Sequence, residues 1–241
     1  MTLRLHWSPD SASLVVRLVL EEFGRDFQTV RVDRAKGTQH APDYLALNPQ
    51  GLIPVLEDGG TPIFETGAIL WHLAMRHDML GAEGPRLDEE EPRAAVLKWL
   101  FFLSNTLHAE LRIGFYTDAY IDGAHVEPLR HGLRRRLGQH LDLLEGQLVD
   151  GWLGQGCGPT IADIYLAVLL RWAQLYPAEA PPLGRTDRWG GLVELCRRLE
   201  SRPAIRRGLA AGAIPVDQAF SAPQRPDLPS SEVTGRATSP H

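Results

Sequence analysis

The stretch 48-NPQGLIPVLEDGGTPIFETGAIL-70 decides how the chain is read. Ile53 to Glu57 has the character of a strand, Asp58-Gly59-Gly60 is a hairpin signal, and Pro62 to Phe64 is the return strand. Thr66 to Arg76 then turns helical, with Ile69, Leu70, Leu73 and Ala74 on one side. Pro54 stands inside the first strand, where it removes a ladder donor. Two readings account for it. A trans Pro54 marks a strand at the sheet's edge. A cis Pro54, which is common only at X-Pro bonds, turns the Ile53 backbone outward, where it can pair with an extended peptide.

Upstream, Thr2 to Trp7 alternates as a strand and Ser8-Pro9-Asp10 breaks it. Ser11 to Glu22 carries Leu14, Val15, Leu18 and Val19 at helical spacing, and Gly24 stands where a C-cap would. Asp26 to Val32 alternates again, and Pro42 to Leu47 is a short helical piece. The order is β-α-β-α-β-β-α. Strand-helix-strand forces a parallel pair and the hairpin adds antiparallel strands, so the spacing predicts a mixed four-stranded sheet with helices around it. Downstream, 81-GAEGPRLDEEEP-92 is a polar connector. The rest reads as helix over about 90–116, 124–149, 160–174, 188–200 and 203–211, an all-α bundle. The domains are placed at 1–82 and 88–212, with a tail over 213–241. From Ser221 that tail is rich in Pro, Ser and charge and is expected to be loosely held.

Composition narrows the function. The 241 residues carry a net charge of -5, which gives no pull toward nucleic acid. No apolar run is long enough to span a membrane. Cys157 and Cys196 are the only cysteines, which fits a reducing cytoplasm and offers no disulfide framework. His72 and His77 diverge on a helix, and no histidine shows metal spacing, so no metal is expected. Both are read as surface residues, and Arg134-Arg135-Arg136 as a solvated face or a subunit contact.

Several residues could carry chemistry. Glu65 and Thr66 open a helix, whose unpaired N–H groups and dipole suit a carboxylate. The Thr66 hydroxyl adds a donor and Glu65 could hold an ammonium group; alternatively Thr66 only caps the helix. The loop 8-SPDSASL-14 offers Ser8, Ser11 and Ser13, of which at least one is a helix cap. Further on, Asp163 is the one acid in an apolar helix before Arg171. With Thr160 it forms a capping-box variant, a folding role. Gly154-Gln155-Gly156-Cys157-Gly158 lacks the Lys-Ser/Thr of a phosphate loop.

Together, Asn48-Pro49-Gln50-Gly51-Leu52-Ile53-Pro54-Val55-Leu56, Glu65-Thr66-Gly67-Ala68-Ile69 and 159-PTIADIYLAVLL-170 resemble the glutathione transferase family, over about residues 1–212. The resemblance implies a thioredoxin-like first domain, an all-helical second domain, and a two-fold homodimer. It implies that the backbone of Ile53, before Pro54, pairs with the cysteinyl part of glutathione, and that Glu65 and Thr66 hold the γ-glutamyl end. Gln39 would meet the glycyl carboxylate, with Gln50 helping from the loop. In the family, the loop after the first strand carries a catalytic Tyr, Ser or Cys. Here His6-Trp7-Ser8-Pro9-Asp10-Ser11-Ala12-Ser13-Leu14 looks like the bacterial cysteine-bearing version, with Ala12 at the cysteine's place and Trp7 where a tyrosine is often found. That departure disfavours thiol-disulfide exchange and leaves Ser13, then Ser11, then Ser8 to stabilise the glutathione thiolate, which is otherwise mostly protonated at neutral pH.

The implied activity is attack of that thiolate on a small hydrophobic electrophile. The run Trp99-Leu100-Phe101-Phe102-Leu103, with Phe115, Tyr116 and Tyr120, is read as bundle core plus dimer contact, or else as a wall for the electrophile. The alternative to an enzyme is a non-catalytic binding or interaction protein that keeps the fold.

Overall fold

The structure, a computed structural model, describes residues 2–153 and 158–227. They fall into two units: residues 2–77 with 203–216 and 225–227, and residues 78–202 with 217–224.

The first unit is built on β1 (Leu3–Trp7), α1 (Ser13–Glu22), β2 (Phe27–Arg31), α2 (Pro42–Leu45), β3 (Val55–Asp58), β4 (Thr61–Phe64) and α3 (Thr66–His77). The sheet order is β2-β1-β3-β4. β1 runs parallel to β2, with Leu3 opposite Phe27, and antiparallel to β3, with His6 opposite Val55. The hairpin pairs Val55 with Phe64. This is the mixed sheet that the element order requires. Leu3 and Leu5 are buried, as are Leu14, Val15, Leu18 and Val19 of α1 and Ile69, Leu70 and Leu73 of α3. A second small core joins Val32, Tyr44 and Val55 to Leu47, Ile53 and Phe64.

A ninth helix, α9 (Pro203–Ala211), belongs to this unit and packs along α1. A Cβ built at Gly208 would lie 2.8 Å from Leu18 Cδ2, so glycine permits the close approach. The sequence reading had put this helix in the second domain. Its apolar face, Ile205 and Leu209, is amphipathic in either setting, so periodicity alone could not choose the partner. The histidines of α3 also differ from the surface reading. Nε2 of His72 meets Asp58 Oδ2 at 2.9 Å, and the ring of His77 stacks on Phe23 with both nitrogens buried.

The second unit is helical. α4 (Glu90–Phe102) and α5 (His108–Phe115) are joined by a π-turn over Leu103–Leu107, where one uninterrupted helix was read. α6 (Val126–Glu145), α7 (Ile161–Leu175) and α8 (Gly190–Glu200) complete it. α7 is buried almost all round, and its N-terminus is closed by the Asp163 carboxylate. That group accepts from Thr160 N–H at 2.8 Å, Thr160 Oγ1–H at 2.7 Å and Leu153 N–H at 2.7 Å. Burial raises the Asp163 pKa, and these donors oppose the rise.

The segment over residues 219–224 is tied to α7 and α8. The Glu200 carboxylate accepts the N–H groups of Phe220 and Ser221, both at 2.6 Å, and the Ser221 hydroxyl at 2.9 Å. Arg171, fully buried, donates to Ala219 O at 2.9 Å and Gln224 O at 3.0 Å. Buried charges on α7 and α8 thus supply partners for residues 219–224 that local composition does not reveal. Residues 154–157, which include Cys157 and all but Gly158 of the glycine-rich loop, lie outside the described residues, as does the chain from 228. No described helix is long and apolar enough to cross a membrane.

Candidate functional site

Register places the candidate residues together. β1 pairs His6 with Val55, so the loop after Trp7 leaves the sheet at the end where Ile53-Pro54 enters it. β4 ends at Phe64 opposite Val55, so Glu65-Thr66 emerges at that same end. β2 is parallel to β1, and the segment after Arg31 that leads to Gln39 follows it there. Four segments far apart in sequence thus converge at one end of the sheet: residues 8–13, 33–40, 53–54 and 65–66.

Each is fixed locally. The Ile53–Pro54 bond is cis, and the ladder begins only at Val55, so the main-chain groups of Ile53 lie outside it. Leu52, just before, is anchored by the Tyr44 hydroxyl at 2.9 Å and Asn48 Nδ2 at 2.8 Å, both donating to its carbonyl. Desolvation raises the Tyr44 pKa and keeps that donor protonated. Gly51 has φ 64°, and a Cβ there would meet His40 Nδ1 at 2.8 Å. These supports were missed from sequence, although Asn48 and Gly51 stand in the quoted motif.

Glu65 precedes α3 with φ 71°, a left-handed conformation uncommon for a non-glycine residue. Thr66 is the first helical residue and is buried, so it does not occupy the N-cap position. Gln50 reaches across to donate from Nε2 to Glu65 Oε1 at 3.1 Å. Gln39 sits in a 3-10 turn over Thr38–His40, is 6% exposed, and has a buried Oε1 without a hydrogen-bond partner.

The three serines form one closed network. Ser11 Oγ donates to Ser8 O at 2.8 Å and lies 2.8 Å from Ser13 Oγ. Ser13 Oγ accepts from Ser8 N–H at 3.2 Å and lies 3.2 Å from Ser8 O. Ser11 is 8% exposed, against 2% for Ser8 and 1% for Ser13. Ala12 takes the N-cap position of α1 without a capping side chain. Trp7 instead carries the buried Arg17 guanidinium 4.6 Å over its ring.

A separate cleft of about 260 Å³ lies between β2 and α2, lined by His6, Val30, Val32, Tyr44 and Leu47 among others; of the site's supports it shares Tyr44, and it includes none of the three serines, Gln39, Ile53, Glu65 or Thr66. In the helical unit, His108 Nδ1 meets the Tyr165 hydroxyl at 2.6 Å beside Trp172, just after the π-turn. Burial pushes the His108 pKa down to about 4, so the imidazole that meets the tyrosine hydroxyl is neutral. Among the described residues, no group of three or more His, Cys, Asp or Glu could hold a metal ion.

Residues 1–75 match the glutathione S-transferase N-terminal domain family and residues 119–206 the glutathione S-transferase C-terminal domain family. The chain is 31% identical over 233 residues to glutathione S-transferase 3 of Zea mays, covering 91% of this chain and 99% of that protein. It is 41% identical over 221 residues to a glutathione S-transferase of Silene vulgaris, covering 87% and 98%. A sphingomonad glutathione S-transferase solved in complex with glutathione superposes with a TM-score of 0.72 at 26% identity, over 88% of this chain and all of that one.

Proposed function

Since the chain belongs to the glutathione S-transferase family, we propose that it binds glutathione at this end of the sheet and activates its thiol for attack on a hydrophobic electrophile. The observation that carries the reading is the convergence of Ile53, Glu65-Thr66, Gln39 and the serine loop at one sheet end. The γ-glutamyl ammonium meets Glu65, and its carboxylate takes the Thr66 hydroxyl and the unpaired N–H groups of the first turn of α3. The cysteinyl backbone pairs with Ile53 as an added strand would. Gln39 serves the glycyl carboxylate, to which its Nε2–H group can donate.

Among the serines, Ser11 donates to the thiolate, because it is the most exposed of the three. This reverses the order expected from sequence, which put Ser13 first. A hydroxyl donor stabilises the thiolate and lowers the thiol pKa, and holding both reactants supplies proximity. The reading extends to a two-fold homodimer in the cytoplasm. Phe101, 58% exposed on α4, is an apolar group such an interface would cover, and Cys196 is free and buried.

Calorimetry with glutathione tests this, on the wild type and on Glu65→Gln combined with Thr66→Ala. Binding that the double change abolishes supports the site. No binding by the wild type at millimolar glutathione removes the transferase reading and leaves a protein that uses the fold for another ligand.

A further inference from the structure

Resting on that reading, we propose that Ser13 is a positioning residue: its hydroxyl takes over the hydrogen bond that Ser11 releases when Ser11 turns to the glutathione thiolate. The observations are the five distances of the network, the fifth being Ser13 N–H donating to Ser11 Oγ at 3.4 Å. Two hydroxyl hydrogens serve three acceptors, namely Ser8 O, Ser11 Oγ and Ser13 Oγ. The oxygen pair of Ser11 and Ser13 stands 2.8 Å apart, so one of the two must donate to the other.

Without ligand, two arrangements satisfy this. In one, Ser11 donates to Ser8 O at 2.8 Å and Ser13 donates to Ser11 Oγ. In the other, Ser11 donates to Ser13 Oγ and Ser13 donates to Ser8 O at 3.2 Å. In both, the Ser11 hydrogen is engaged inside the loop. For Ser11 to donate to a thiolate it must leave that partner. Ser13 makes the departure inexpensive. Its hydrogen either fills Ser8 O, so that no buried carbonyl is stranded, or stays on Ser11 Oγ and polarises the Ser11 O–H toward the sulfur. The Ser8 N–H, 3.2 Å from Ser13 Oγ, holds that hydroxyl in place throughout. No proton leaves either serine, and the thiol proton goes to solvent. With Ser13 as alanine, the Ser11 hydrogen is left with Ser8 O as its one acceptor in the loop, and the thiolate must compete for it directly.

Ser13 is 1% exposed, so it acts through Ser11 and not on the ligand. The test is the thiol pKa of bound glutathione, read from the ultraviolet absorbance of the thiolate against pH. It is measured in the wild type, Ser11→Ala, Ser13→Ala, Ser13→Thr and the double alanine variant. Glutathione affinity and thermal midpoint are recorded for each. Ser11→Ala should raise the thiol pKa by about one to two pH units. Ser13→Ala should raise it by part of that amount, with affinity changed less than about threefold. Ser13→Thr, which keeps the hydroxyl, should restore the wild-type value. The double variant should match Ser11→Ala alone, since a residue acting only through Ser11 has nothing left to act on. A Ser13→Ala pKa equal to wild type overturns the proposal, and so does a double variant in which the two effects add. Those outcomes leave glutathione binding intact and sink the relay alone. Failure of the wild type to bind glutathione sinks the site and the relay together.

Discussion

Gln50 and Glu65, fifteen residues apart, meet where the two loops flanking the β3–β4 hairpin come together: Nε2 of Gln50 donates to Oε1 of Glu65 at 3.1 Å. The contact holds a carboxylate whose own backbone is already constrained, since Glu65 sits at φ 71°. A non-glycine residue in that region costs of the order of 1 kcal/mol, and such costs gather at functional sites. Glu65→Gly therefore separates fold from function. Stability should stay within about 1 kcal/mol of wild type, since relief of the strained φ offsets the extra backbone freedom of glycine. Glutathione affinity should fall by tenfold or more, about 1.4 kcal/mol, with loss of the charged partner for the ammonium. Calorimetry and a thermal melt on one variant check both. A melt lowered well beyond that with affinity kept would show that Glu65 serves the fold.

Asp163 is the counterpart in the helical unit, where the carboxylate serves structure. Asp163→Ala leaves three donors without an acceptor: two N–H groups and the Thr160 hydroxyl. The cost should be about 1–3 kcal/mol, seen as a lower denaturant midpoint. Glutathione affinity of the protein that remains folded should be unchanged, because no residue of the proposed site lies in this unit.

Much of this was legible in sequence where local chemistry decides the outcome. The hairpin at Asp58-Gly59-Gly60, the start of α3 at Thr66 and the box at Thr160-Asp163 each follow from residues within a few positions of one another. The order of the elements dictates the sheet, and the sheet brings the four segments to one end. What sequence did not reveal rests on long-range partners. That Tyr44 and Asn48 both hold the Leu52 carbonyl depends on how α2 lies beside the loop. That α9 joins the first unit depends on the gap Gly208 leaves for Leu18. The order Ser13, Ser11, Ser8 rests on the resemblance, and a motif cannot tell a 1% exposed hydroxyl from an 8% exposed one.

The strap over residues 217–224 gives a third expectation. Glu200 is 8% exposed and its carboxylate takes three donors from Phe220 and Ser221. Glu200→Ala should release this segment. Amide exchange at Phe220 and Ser221 should rise sharply, and global stability should fall by about 1–3 kcal/mol. Protection retained at both amides would show that Arg171 and Gln174 hold the strap unaided through Ala219, Gln224 and Phe220.

The pH dependence of stability should carry the mark of two histidines. Burial lowers the pKa of His77, whose ring nitrogens are buried without partners, and pushes that of His108 down to about 4 from 6.5. Both are therefore neutral in the folded protein over a range where the unfolded chain binds a proton. Stability must then rise with pH, being complete above about 6.5 and lost as pH falls toward the folded values. Carboxylates held low, such as Glu110, where burial pushes the pKa up but hydrogen bonds from Arg136 and His140 bring it below the ordinary value, act in the same direction, but their share is lost only below that ordinary value of 4.5. The interval between pH 6.5 and about 4.5 thus isolates the histidines. His108 should contribute on the order of 2 kcal/mol there, discounted for its partial exposure. Urea midpoints across this interval for wild type and His108→Gln check it. The variant should be less stable at neutral pH, through loss of the Tyr165 contact, and should show a shallower slope toward acid. Parallel slopes would mean that His108 titrates near its ordinary value and that the acid sensitivity lies with His77.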